Sequence, residues 1–228
     1  MFFQVLLWCE NPGMQEVTRE SSEAIRRGLV FLQGQQDEQG FWRNDIGYKL
    51  NTSYKVTSTN KPHVGITAMA CMAFMANGSV PKRGKYGKEV ERALDFILSC
   101  VHPSTGYISR YGTRMYSHAF ATLCLAEVYG MGIKHQEIRP VLEKATKLIT
   151  ECQNEQGGWR YEPIAMDADM SITVCQVQAL RAARNVGIKV PKKTIDRALD
   201  YIRKSAYYNG GFKYQLLPMT ESRVSFAL

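Results

Sequence analysis

The stretch LEKATKLITECQNEQGGW, residues 142–159, decides the fold, because altered copies of it recur along the chain. The others are AIRRGLVFLQGQQDEQGF from Ala24, VERALDFILSCVHPSTGY from Val90 and IDRALDYIRKSAYYNGGF from Ile195. Aligned on the small residues Gly28, Ala93, Ala145 and Ala198, each reaches a Gly-aromatic pair 12 or 13 residues later. The anchors lie 65, 52 and 53 residues apart, so the chain is a repeat array. Within each copy the apolar residues fall on one helical face. Val90, Leu94, Ile97, Leu98 and Val101 make one such stripe, and Val141, Ala145, Leu148, Ile149 and Cys152 another. Gly and polar residues end each helix, and the aromatic can fold back over the turn.

A second kind of helix lies between the copies. GITAMACMAFMANG (65–78) and HAFATLCLAEVYG (118–130) are apolar nearly all round, and SITVCQVQALRAA (171–183) is similar but mixed with Gln. A helix apolar on every side is buried on every side. One-faced and all-round helices therefore alternate. This predicts an all-α fold with one-faced helices outside and small-residue helices inside: a partial α/α toroid of about 3.5 helix-pair repeats. A superhelical solenoid of helix pairs is the competing architecture. Outer helices are expected near 21–36, 87–101, 137–153 and 191–206, and nearly inaccessible inner ones near 64–77, 117–130 and 170–185. The longer first interval is read as an insertion at Arg43–Pro62, polar enough to be a loop. Residues 1–20 are read as an N-terminal extension and 21–228 as the repeat domain. The fourth copy stops before its inner helix is complete. The domain is thus expected to be truncated at its C-terminus, with further repeats or another chain completing the ring.

Composition narrows the function classes. The chain has 228 residues, 45% hydrophobic and 22% charged, and no apolar run long enough to span a membrane. The six cysteines form no close pair and sit mostly in apolar helical patterns. They read as reduced, buried thiols, with a cytoplasmic location expected and export left open. The net charge of +8 is scattered over solvated helix faces. Attraction to an anionic membrane surface or to a diphosphate is a second reading of that charge. Nucleic acid is not expected as a partner, since no basic run is interleaved with exposed aromatics.

These residues resemble the terpenoid cyclase and protein prenyltransferase α/α-toroid superfamily, most closely squalene-hopene-cyclase-like proteins with prenyltransferase and squalene oxidase repeats. The squalene-cyclase group carries a repeated Gln-x-x-x-Gly-x-Trp motif. Gln153, Gly157 and Trp159 match it fully. Gln35 and Phe41 match in part, with Gln39 where Gly is expected. The second copy keeps only Tyr107. The fourth keeps Gly210 and Phe212, with Ala206 for Gln. In such cyclases an Asp-x-Asp-Asp motif supplies the acid that protonates an alkene. Asp167-Ala168-Asp169-Met170 resembles it, with Met170 in place of the last Asp. The resemblance implies Asp169 as proton donor, Asp167 as its neighbour, and an apolar, isoprenoid small molecule as ligand.

The alternative for Asp169 is structural. It stands where a helix N-cap belongs, with Ser171 as a rival cap, and a helix N-terminus favours the ionised carboxylate. If the inner helices are parallel, His63, His118, Asp169 and Arg223 ring one mouth. Arg110, Arg114, Tyr116, Arg160 and Tyr161 lie in the loops leading there, and Phe120 adds an aromatic face. Protein prenyltransferases bind zinc through an Asp-x-Cys pair, and this sequence has none, so no metal is expected. Asp-Asp-x-x-Asp, a P-loop and the dinucleotide glycine fingerprint are also missing, so no cofactor is expected. Two functions follow: a non-catalytic binding or scaffold module with a polar-rimmed apolar bowl, or an isoprenoid cyclase-like enzyme using Asp169.

Overall fold

The computed structural model describes residues 18–50, 53–208 and 210–216. In chain order these form α1 (Arg19–Gln35), β1 (Arg43–Leu50), β2 (Ser53–Pro62), α2 (Val64–Ala76), α3 (Gly87–Ser99), α4 (Met115–Gly130), α5 (His135–Glu151), α6 (Met170–Asn185) and α7 (Lys192–Ser205). The seven helices among the described residues fall on the seven expected spans. The chain divides into two compact units at Gln35. The first holds α1, whose first turn is closed by Thr18: its hydroxyl accepts the Ser21 N–H at 3.1 Å.

In the second unit, the helices that are apolar all round pack side by side in the order α2, α4, α6. Each one-faced helix leans on this row: α3 on α2, α5 on α4 and α6, and α7 on α6. The inner helices run parallel, because their N-terminal turns meet. The Gly65 N–H donates to Ser117 Oγ at 3.2 Å, and the Tyr116 hydroxyl donates to Ser171 Oγ at 2.7 Å. Small residues permit this approach. A methyl group on Gly65 would stand 2.8 Å from Ser117 Oγ. Fully buried Leu125 and Val128 of α4, and Leu142 and Ile149 of α5, each contribute roughly 1.5–3 kcal/mol by leaving water.

Burial does not divide the layers as expected. Met69 of α2 is 51% exposed and Val174 of α6 is 39% exposed. Among the described residues α4 has an inner neighbour on both sides, whereas α2 and α6 each have one. The layers are therefore defined by who packs on whom, not by uniform burial.

The expected loop at 43–62 is an antiparallel hairpin of β1 and β2, with Arg43 opposite Pro62 and Gly47 opposite Val56. Backbone pairing holds it, and a Thr57 hydroxyl bond to the Ile46 carbonyl at 3.0 Å adds to the pairing. Ile46 is buried, while Lys55, Val56 and Thr57 face water. A strand pair with a largely solvated side carries no apolar run, which is why its composition reads as loop.

Where the motif is complete, it clasps one repeat to the next. Gln153 Nε2 donates to the carbonyls of Gly157 and of Thr194, the third residue of α7, both at 2.9 Å. Gly157 adopts φ +96°, and a Cβ there would lie 2.2 Å from the Arg197 carbonyl oxygen. Only glycine fits. Trp159 is buried, and its indole N–H donates to the Ile149 carbonyl at 2.6 Å, closing the end of α5.

The first copy repeats this geometry one residue later than the frame read from the sequence. Gln36 donates to the carbonyls of Gly40 at 3.0 Å and Glu89, the third residue of α3, at 2.9 Å. Gly40 has φ +92° and would place a Cβ 2.2 Å from the Arg92 carbonyl. The first copy is thus a full match, Gln36-x-x-x-Gly40-x-Trp42, and Gln35, Gln39 and Phe41 are its neighbours. Gly40 fixes the frame, because Gln39 with a side chain cannot occupy that turn. The C-terminal segment expected to begin another inner helix, including Arg223, lies outside the described residues, as do residues 1–17.

Candidate functional site

The end of the motif places the N-terminus of each inner helix. The backbone N–H of Trp159 donates to the Thr173 hydroxyl at 3.1 Å, and that of Trp42 to the Thr67 hydroxyl at 3.1 Å. Thr67 and Thr173 are the fourth residues of α2 and α6. The fourth residue of α4 is His118, and its Nδ1 accepts the Ile108 N–H at 3.1 Å in the same way. Its Nε2 then carries the proton toward the Ala145 carbonyl, at 3.3 Å. His118 is fully buried, and burial pushes its pKa down to about 4. It lies inside the wall between α4 and α5, not on the mouth where the sequence reading put it, and both ring nitrogens are engaged.

The N-cap positions of the three inner helices are His63, Arg114 and Asp169. His63 Nδ1 accepts the Ile66 N–H at 3.2 Å, and burial holds its pKa below the usual histidine value. Arg114 makes no cap bond but pairs with Glu162 at 3.3 Å. Asp169 is the built cap. Its backbone N–H donates to the Trp159 carbonyl at 3.0 Å, and its Oδ1 accepts the Ile172 N–H at 2.9 Å. Ser171 is not a rival cap, because its hydroxyl donates to the same oxygen at 2.7 Å.

Two chains of hydroxyls converge on this carboxylate. On one side Tyr116 donates to Ser171 at 2.7 Å, and Ser171 to Oδ1. On the other the Tyr161 and Tyr214 hydroxyls stand 2.5 Å apart, and Tyr214 donates to Oδ2 at 3.3 Å. Tyr214 spends its proton on the carboxylate, so Tyr161 is the donor between the two phenols. Arg160 Nε lies 4.0 Å from Oδ2, and its guanidinium also grips Asp167. The Arg160 group lies 5.4 Å from the Tyr161 ring, whose centroid is 6.1 Å from that of Tyr116.

Asp169 is completely buried, and Asp167 is not: its side chain is 60% exposed. Arg160 pairs with both carboxylates, so the two share a guanidinium. Burial raises the Asp169 pKa above the ordinary 3.8, opposed by the Ile172 N–H, the Ser171 hydroxyl, Arg160 and Tyr214. Burial also pushes Tyr116 up to about 12, with the Asp169 charge adding to the rise, and moves Tyr214 in the same direction. These phenols stay protonated and serve as donors at neutral pH.

The structure thus brings together Tyr116, Arg160, Tyr161, Asp167 and Asp169, with Arg114 alongside, since the Met115 N–H donates to the Tyr161 carbonyl at 3.0 Å. Phe120 follows Tyr116 one turn along α4 and is half-buried. His63 and His118 have structural posts elsewhere. Tyr214 was missed, yet the repeat marks it. It stands two residues beyond Phe212, as Tyr161 stands two beyond Trp159. The two also share a backbone task, because the Tyr214 carbonyl accepts the Met170 N–H at 2.9 Å as the Tyr161 carbonyl accepts that of Met115. Among the described residues no three His, Cys, Asp or Glu side chains converge as metal ligands.

The family profile of the prenyltransferase alpha-alpha toroid domain matches residues 34–226. The chain is 25% identical over 153 residues to a squalene–hopene cyclase of Bradyrhizobium diazoefficiens, a match covering 64% of this chain and 22% of that one. It is 28% identical over 170 residues to lanosterol synthase of Homo sapiens, covering 71% of this chain and 21% of that one. It therefore spans about a fifth of the length of each. A glycosyl hydrolase of family 88 from Bacteroides vulgatus shares the fold with a TM-score of 0.56 at 15% identity, over 73% of this chain and 55% of that one.

Proposed function

Since the chain belongs to the prenyltransferase alpha-alpha toroid family, we propose that it is a squalene-cyclase-like repeat domain acting as a binding or scaffold module. The mouth rimmed by Tyr116, Arg160, Tyr161 and Tyr214 would receive an apolar, isoprenoid-like molecule. One observation carries the non-catalytic reading: among the described residues, every polar partner of the Asp169 carboxylate is a donor. The Ile172 amide and the Ser171 and Tyr214 hydroxyls donate hydrogen bonds to it, and the Arg160 guanidinium sets a positive charge 4.0 Å away. Such a shell favours the anion, whereas protonating an alkene requires the neutral acid with its proton aimed at substrate. Completion of the ring by further repeats or by another chain belongs to the same proposal.

A second reading keeps Asp169 as the general acid of a cyclase-like reaction. Burial favours it, because an inaccessible carboxyl binds its proton more tightly than one in water. Incubating the purified chain with squalene and with farnesol, followed by product analysis and a binding titration, separates the two. Saturable binding without cyclised product, unaltered in kind by Asp169→Asn, is expected. Cyclised product that Asp169→Asn abolishes would establish the enzyme instead, and no binding of either compound would remove both readings.

A further inference from the structure

A cleft of about 500 Å³ opens where the base of the hairpin meets the C-terminal end of α3 and the 109–113 loop. It shares no residue with the Asp169 network. Its floor is apolar: Phe41 and Phe96 are buried, with ring centroids 5.0 Å apart. Its rim is cationic, formed by Arg43, Lys61 and Arg110. Arg43 is committed to Asp37 at 2.9 Å, and the acidic lining residue Asp95 to Lys134 at 2.5 Å. Lys61 and Arg110 make no ion pair among the described residues. Two positive charges are therefore uncompensated above an aromatic floor.

The loop presenting Arg110 is held in shape. The Arg110 N–H donates to Thr113 Oγ1 at 3.0 Å, and Thr113 returns bonds to the Arg110 carbonyl from its hydroxyl at 2.8 Å and its N–H at 3.0 Å. Ser109 adds a bond to the Thr113 carbonyl. Between them Tyr111 sits at φ +56°, a conformation that costs a side-chain-bearing residue energy, and leaves its ring 49% exposed. The turn itself sets that conformation, because Tyr111 and Gly112, at φ +89°, are the two central residues bridged by the Thr113 N–H bond to the Arg110 carbonyl. The Arg110 guanidinium lies 5.7 Å from the Tyr111 ring. An exposed aromatic beside an arginine that makes no ion pair among the described residues, fixed by a bonded loop over a concave apolar floor, has the make-up of a small-molecule site.

We propose that this cleft binds an aryl phosphate ester, a planar ring bearing a dianionic phosphate. The ring lies against Tyr111, above the Phe41 and Phe96 floor that Arg43 partly covers, and the phosphate, at about −2 near neutral pH, meets Lys61 and Arg110. The charges match one for one, and the floor supplies what an inorganic anion cannot use.

The test is titration of the whole chain with phenyl phosphate, inorganic phosphate and benzoate, followed by calorimetry. Saturable binding of phenyl phosphate is expected, with inorganic phosphate and benzoate each weaker by roughly tenfold or more. Arg110→Gln and Lys61→Gln should each weaken phenyl phosphate by about fivefold or more while leaving the melt unchanged, since both side chains are exposed. Lys193→Gln, on α7, should change nothing. The proposal falls if phenyl phosphate does not saturate, if inorganic phosphate binds as well, if benzoate binds as well, or if the two cleft variants bind like the parent.

Discussion

Replacing Asp169 probes the cap and the buried charge together. Asp169→Ala removes the acceptor of the Ile172 N–H, a cap loss of about 1 kcal/mol. It also leaves the Ser171 and Tyr214 hydroxyls without their acceptor at a fully buried position, at about 1–3 kcal/mol. Relief of the carboxylate's own desolvation offsets part of this, so a net loss of about 1–3 kcal/mol is expected, below the sum of the two costs. Asp169→Asn keeps an oxygen where Oδ1 stands, and so keeps the cap and the Ser171 bond. Its amide nitrogen then faces Tyr214, whose hydroxyl can turn to accept, and the loss should be about 1 kcal/mol. The two variants also isolate the titration. The folded pKa of Asp169 is raised, so the folded state holds its proton more tightly than the unfolded chain does. Stability from this group is therefore present at low pH and is lost as pH rises from about 4 through the raised value. Urea unfolding across that range should show the parent losing stability relative to the Asp169→Asn variant as pH climbs. Equal losses in the Ala and Asn variants would refute the cap as the main role, and a parent-minus-Asn difference flat in pH would refute burial as the controlling effect.

Gln153→Ala should cost about 2 kcal/mol, because two buried carbonyls lose their donor, and Gln153→Glu should cost more at pH 7, where a carboxylate would face two carbonyl oxygens. Chemical denaturation checks this, and a Glu variant as stable as the parent would disprove the clasp. His118 works in the opposite pH direction to Asp169. Its folded pKa, pushed down to about 4, gives stability that is full above about 6.5 and lost as pH falls toward 4, on the order of 3 kcal/mol. His118→Gln should flatten that acid limb in thermal melts, and an unchanged limb would assign the acid sensitivity elsewhere.

The helices were legible because burial imposes a 3.6-residue period that survives substitution, as in Val90, Leu94 and Ile97. The hairpin was not, since Val56 and Thr57 face water and their pairing leaves no apolar trace. The one-residue slip in the first motif arose where two glutamines and two aromatics adjoin. Composition permits either frame, and only the backbone at Gly40 separates them. Asp169 was found by its motif, and its place as the N-cap of α6 was visible beside the proton-donor role that the resemblance implies. What surrounds it was not visible, because Tyr214 lies 45 residues away in sequence and enters through the next repeat. His118 was misplaced because it was read by residue type. Compared with Thr67 and Thr173 at the same helical position, it reads as an acceptor for the preceding turn.

The two glutamine clasps give the array a grain. Gln36 and Gln153 each belong to one repeat but bond a carbonyl at the start of the next, so the natural module does not coincide with a helix pair. A splice made between Trp159 and α7 would part Gln153 from Thr194 and Gly157 from Arg197, leaving a tongue without its groove. Cutting within an outer helix, beyond its sixth residue, keeps both halves of the joint in one piece. Anyone adding, deleting or shuffling modules of this chain would do well to cut there, as a joiner saws through the plank and not through the dovetail.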